Sequence, residues 1–192
     1  MIGRAIDELS MGNSAELSRV VSEEDIAEFV DAVGDHNPVH SDPVFAAATA
    51  FRGPIAPGIW TAGLISGVIG TRLPGPGSIY VTQDLHFLKP VRAGDTITAR
   101  VEVLEIVRER NRVRLRTTCV NQRGEEVLAG EAWVLPPKSQ IVYAEDKSGA
   151  GALAFWALQP WAWAAQALSV WAILGLSALA ACRPRLTSGG RR

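Results

Sequence analysis

The chain has 192 residues and a mass of 20.6 kDa, with 47% hydrophobic and 20% charged residues. This is the composition of a globular protein large enough to bury a core without disulfides or a structural metal. Its 19 basic and 20 acidic residues give a net charge of −1, so no basic field recommends a nucleic-acid partner. The two distant cysteines, Cys119 and Cys182, exclude a disulfide scaffold and a four-cysteine zinc site, and three histidines leave little room for a His-rich metal centre.

The N-terminal stretch lacks the apolar core of a secretory signal, so the expected location is cytoplasmic. Residues 15–21 (AELSRVV) alternate as a strand. Ser22 then opens a helix: Ser22 and Asp25 form a capping pattern, and Glu23, Glu24 and Asp25 fill the dipole-favoured first turn. Ile26, Phe29, Val30 and Val33 give that helix one apolar face, and Gly34 ends it. The run Asp35-His36-Asn37-Pro38-Val39-His40 reads as a polar loop stiffened by proline. A short helix follows, with Asp42 as its cap and Pro43 in its first turn.

Residues 58–71 (GIWTAGLISGVIGT) are apolar on nearly every side, the pattern of a helix surrounded by protein. Its glycines would let a sheet approach closely, and LPGPG at 73–77 stops it. The rest of this region is strand: residues 78–90, 96–109, 113–122 and 126–136, joined by short turns that suit an antiparallel meander. In the second of these, Ile97, Ala99, Val101 and Val103 are expected inward, with Thr98, Arg100 and Glu102 outward. The fold class is therefore α+β, a sheet curled around one helix.

Composition breaks after Pro137. Residues 1–140 hold 14 basic and 18 acidic side chains, a net of −4, whereas residues 141–192 hold 5 and 2, a net of +3. No charge lies between Lys147 and Arg183, and that stretch contains four of the six tryptophans. The expected organisation is one domain over 1–137 and an atypical apolar Ala/Trp-rich tail over 138–192. Three readings of the tail stand. Residues 161–182 are long enough to span a membrane, which takes roughly 20 apolar residues, yet the terminal arginines would then leave the domain on the outer side. A packing or interfacial helix is the second reading. The third is a segment foreign to the fold, from a truncated fusion or an altered frame, and the abrupt composition favours it over membrane contact.

The chemistry is expected in one loop. Asp35 and His40 bring a carboxylate and an imidazole within reach of one small substrate, and Asn37 can fix the loop by bonding nearby backbone. The same residue types also make an ordinary turn. Gly58 opens the apolar helix, where an N–H at the positive end of the dipole can stabilise a developing oxyanion; a plain turn glycine is the alternative. His86 is expected as a packed sheet residue, and Arg108 to Arg116 as a solvated hairpin rather than a phosphate seat. Ile59, Trp60 and Leu64 are candidates for either pocket lining or core.

The sequence Gly34-Asp35-His36-Asn37-Pro38-Val39-His40, then Asp42-Pro43, Phe45-Ala46-Ala47 and Pro54-Ile55-Ala56-Pro57-Gly58, resembles the MaoC-like, or (R)-specific enoyl-CoA hydratase, family of hot-dog fold. The resemblance continues through LISG (64–67), LPGPGSIY (73–80), FLKPV (87–91) and Gly94-Asp95, and covers residues 10–136. It implies a single hot-dog domain, with a five-stranded antiparallel sheet wrapped around the central helix. It implies reversible hydration of trans-2-enoyl-CoA to (R)-3-hydroxyacyl-CoA. Asp35 and His40 match the catalytic pair, Gly58 the backbone donor of the oxyanion hole, and Asn37 and Ser66 supporting positions. It implies no metal and no cofactor, CoA being part of the substrate, and a homodimer. The alternatives are a 3-hydroxyacyl-carrier-protein dehydratase and a non-catalytic thioester-binding subunit. Two positions depart from the pattern: Val33 stands where a small or hydroxylated residue is usual, and Pro57 where His is usual.

Overall fold

The computed structural model describes residues 1–144, a compact unit that spans Met1–Ala144. The apolar stretch, and the readings placed on it, lie outside the described residues. In chain order the elements are β1 (Ile2–Gly3), β2 (Ser14–Val20), α1 (Glu23–Val33), α2 (Pro38–Ser41), α3 (Pro43–Ala47) and α4 (Gly58–Thr71). They continue with β3 (Ile79–Gln83), β4 (His86–Phe87), β5 (Thr96–Val107), β6 (Arg112–Val120), β7 (Glu126–Leu135) and β8 (Ile141–Val142). No helix among the described residues is long and apolar enough to cross a membrane.

The main sheet is antiparallel in the order β2-β5-β6-β7-β3, with short β4 also paired to β7. It is the expected α+β hot-dog arrangement: five strands in line, with α4 packed against β2, β5 and β6. Strand alternation explains which face meets the helix. Ile97, Ala99, Val101 and Val103 of β5 are at most 1% exposed, as are Val113 and Leu115 of β6. They meet Ile65, Val68 and Ile69 of α4 in one core, and each large aliphatic side chain buried there contributes roughly 1.5–3 kcal/mol. Trp60 and Leu64 belong to this core, whereas Ile59 is 57% exposed.

Two elements differ from expectation. Within one chain α4 is not enclosed on all sides, because the sheet covers only one face: Ile59, Gly63, Ser66 and Gly70 form an uncovered stripe. On the covered side Gly67 does let β2 come close, since a Cβ there would lie 3.3 Å from Leu17. The expected single strand over 78–90 breaks into β3 and β4. Asp84 makes the break: its amide donates to the Glu131 carbonyl (3.0 Å) and its Oδ1 accepts from the Glu131 amide (2.9 Å). The chain bends there and resumes pairing further along β7, with Phe87 opposite Leu128. β8 lies beyond Pro137 and pairs with β1, Ile2 opposite Val142.

The approach to the site is set by local capping. Ser22 accepts from the Asp25 amide (2.9 Å) and Asp25 Oδ2 accepts from the Ser22 amide (3.1 Å), a reciprocal capping box at the start of α1. Arg19 also bonds Asp25, and these bonds hold its carboxyl below the usual carboxylate range. Gly34 closes α1 in the left-handed conformation, φ 72°. α1 is thereby fixed at both ends, and the chain leaves it at Asp35.

Candidate active site

Asp35 and His40 are presented by two adjoining helix ends. The Asp35 amide donates to the Val30 carbonyl (3.1 Å), which sets where the residue departs from α1. The expected loop contains a helical turn, α2, because Asn37-Pro38 works as a helix start as well as a turn. Asn37 Oδ1 accepts from the Val39 amide (3.3 Å) and Pro38 occupies the first turn. α2 then turns His40 back toward Asp35.

The imidazole is held by backbone. His40 Nδ1 lies 2.8 Å from the Ile55 carbonyl oxygen. A carbonyl oxygen only accepts, so Nδ1 carries a proton and donates it. Nε2 therefore faces Asp35, at 3.5 Å from Oδ2. That separation is at the outer limit of a direct hydrogen bond, and one water oxygen can touch both groups. The His40 side chain is 9% exposed and that of Asp35 46%. A cavity of about 600 Å³ opens beside the imidazole, lined by His40, His36, Glu23, Asp31, Pro54 and Arg92 among others. His36 is exposed and makes no bond to the pair.

Gly58 is the first residue of α4, with Pro57 as its cap residue. The N–H groups of a first helical turn have no partner within the helix and sit at the positive end of its dipole. Glycine leaves room here for a neighbour, since a Cβ would lie 2.7 Å from Cε1 of Phe87. The bend at Asp84 is what delivers that ring. A second cavity, about 380 Å³, is lined by Gly58, Ile55, Phe51, Ile59, Phe87 and Leu88 among others. Its mostly apolar walls suit an apolar chain. Ile55 joins the two halves of the site: its carbonyl holds His40 and it lines the cavity of Gly58.

Ser66 lies two turns beyond Gly58 on the uncovered stripe of α4, lines neither cavity, and has no hydrogen bond to the pair within one chain. His86 is not packed into the sheet as expected: the bend turns it outward, 70% exposed, with Nε2 3.3 Å from Asp84 Oδ2. Arg114 is engaged by Glu105 and Glu131, each at 2.9 Å, and Arg108 by Asp7 at 3.4 Å, which is a solvated hairpin face. Cys119 is buried, and burial pushes its thiol up to about 12. It stays protonated and offers no nucleophile at neutral pH. Among the described residues no group of three or more His, Cys, Asp or Glu could hold a metal ion. Sequence reasoning missed Ile55 and Phe87, because one acts through its carbonyl and the other through the space it fills.

The model of a family described as the MaoC like domain matches residues 8–124. The chain is 47% identical over 134 residues to a 3-hydroxybutyryl-CoA dehydratase of Methylorubrum extorquens, which covers 70% of this chain and 85% of that protein. It is 43% identical to an (R)-specific enoyl-CoA hydratase of Aeromonas caviae, over 67% of this chain and 96% of that one. Among solved structures, an unliganded R-hydratase from Pseudomonas aeruginosa superposes with a TM-score of 0.69 at 41% identity, covering 75% of this chain and 94% of that chain.

Proposed function

The chain belongs to the MaoC-like domain family, and from that premise we propose that it is a hydro-lyase acting on trans-2-enoyl-CoA to give (R)-3-hydroxyacyl-CoA, reversibly. One observation carries the reading: His40 Nδ1 is committed to a carbonyl, which leaves Nε2 facing Asp35 Oδ2 at 3.5 Å.

The chemistry requires one proton held between the pair. A water between them attacks Cβ of the enoyl thioester. Whichever partner lacks the shared proton takes one from the water, and the partner that carries it delivers it to Cα. The new C–O and C–H bonds consume one water, and the pair again holds one proton. No outside acid or base is needed to reset it. As water adds, negative charge grows on the thioester oxygen. The Gly58 N–H, aimed outward at the head of α4, stabilises that charge more than it does the ground-state carbonyl. The apolar cavity at Gly58 suits the acyl chain, and Asn37 serves by capping α2 beneath His40. These roles use no metal and no cofactor besides the CoA of the substrate.

The test is an ultraviolet assay with crotonyl-CoA. The expected result is loss of the conjugated enoyl absorbance with formation of the (R)-3-hydroxy product on chiral analysis. A folded protein that is silent on short and long enoyl-CoAs, yet turns over carrier-protein thioesters, would assign it to the dehydratases of carrier proteins. Silence on both would leave a thioester-binding subunit.

A second copy of the chain completes the reading. β3 is an edge strand whose Ile79, Tyr80 and Val81 are 59%, 37% and 38% exposed. Unpaired apolar edges recruit other strands. Sedimentation of the full chain is expected to give twice the 20.6 kDa chain mass. A monomer at assay concentration would refute the pairing.

A further inference from the structure

We propose that Arg92 is a positioning residue for the acid–base pair, acting as a clamp on the loop that fixes the tautomer of His40; the inference rests on the reading of His40 above. The loop at residues 51–57 carries both the Ile55 carbonyl that holds His40 and the lead-in to Gly58. Its fold depends on contacts from outside. The Ile55 amide donates to the Val39 carbonyl (3.2 Å) and the Ala56 amide to the Val91 carbonyl (2.8 Å). Beside Val91, the Arg92 guanidinium forks into the loop: Nη1 donates to the Pro54 carbonyl at 2.8 Å and Nη2 to the Phe51 carbonyl.

Among the described residues, Arg92 and His40 are the two side chains from outside the loop that bond its backbone carbonyls. The carbonyls they hold, Pro54 and Ile55, belong to adjacent peptide units. Fixing the first restricts rotation of the second, and the second is the acceptor that keeps the proton on His40 Nδ1.

Arg92 is itself anchored. Its amide donates to Asp95 Oδ2 (2.9 Å), and Asp95 Oδ1 accepts from Gln122 Nε2 (2.8 Å). Gly53 leaves room for the fork, since a Cβ there would lie 3.2 Å from Nη1. A guanidinium suits this task because its planar donors reach two acceptors at once, which an ammonium does not do in fixed geometry. The cation is bonded to carbonyls rather than to a carboxylate, so it orients the loop without taking part in proton transfer. The charged and titratable groups that face His40 are Asp35, at 3.5 Å, and, around the adjoining cavity, Glu23 and Asp31 of α1, His36 and Arg92.

The experiment compares the full ¹⁵N-labelled chain with Arg92→Met. In the wild type the ring nitrogens of His40, assigned by loss of their signals in His40→Gln, are expected to show a single protonated Nδ1 in the neutral form. In Arg92→Met they are expected to average between the two tautomers. On crotonyl-CoA the same variant is expected to lose about tenfold in kcat, with KM changed by less than about threefold, the split of a residue that orients rather than binds. Circular dichroism checks that it folds. If it does not, Arg92→Gln, which is too short to reach both carbonyls, is read in the same way. A folded variant whose His40 nitrogens match the wild type overturns the clamp. The spectrum is taken without substrate, so an inactive wild type counts against the proposed reaction and not against the clamp.

Discussion

Replacing Asp35 by asparagine is expected to lower kcat for crotonyl-CoA hydration by about 10³-fold, within the range that a positioned acid–base group supplies. The substitution keeps the shape of the side chain and removes its capacity to hold or accept the shared proton. Asp35 is the cleaner member of the pair to test. Its carboxylate is 46% exposed and faces His40, and no other side-chain bond to it is made among the described residues, so the fold is expected to survive. His40 is 9% exposed and bonded to Ile55, so removing it would disturb the 51–57 loop together with the chemistry. The readout is the rate of loss of enoyl absorbance beside a circular dichroism spectrum. A folded Asp35→Asn protein that keeps more than about a tenth of the rate would take the carboxylate out of the proton transfer.

The second large effect concerns a backbone atom. Gly58→Pro deletes the N–H at the first position of α4, where proline fits without breaking a helix bond. The residue before it is already in the conformation a following proline demands, with Pro57 at φ −56° and ψ 133°. The obstacle is Phe87, whose ring lies 2.7 Å from any Cβ at position 58. The comparison is therefore made in a Phe87→Ala background, with Gly58→Ala as the control that has a Cβ and keeps the N–H. Phe87 is 52% exposed, so its truncation costs little core. Relative to the control, the proline variant is expected to lose about 10²–10³ in kcat, the usual cost of one oxyanion donor. Equal rates would show that another group stabilises the oxyanion.

Much of the local structure was legible because it is decided by neighbours in sequence. The capping box at Ser22 and Asp25, the glycine at the end of α1, the Asp42 cap of α3 and the span of α4 all follow from rules that act within one helical turn. The alternation of β5 was legible for the same reason: a period of two assigns Ile97, Ala99, Val101 and Val103 to one face wherever the sheet lies. The bend at Asp84 was not legible. It depends on hydrogen bonds to Glu131, 47 residues away, and the strand pattern of residues 78–90 runs through it without a break. With it went the expectation for His86, which the bend turns toward solvent.

By itself the sequence determined the helix caps, the strand faces and the presence of Asp35, His40 and Gly58, since side-chain chemistry and short-range periodicity are properties of the chain alone. Only the tertiary structure decided how they are arranged. It brought the Ile55 carbonyl to His40 Nδ1 across 15 residues, so that Nε2 faces Asp35. It set Phe87 against Gly58, and it closed Arg92 onto Pro54 across 38 residues. The acceptors in those contacts are backbone carbonyls, and Phe87 acts through its shape. Neither has a residue-type signature, and both arise only when distant segments pack against the same core.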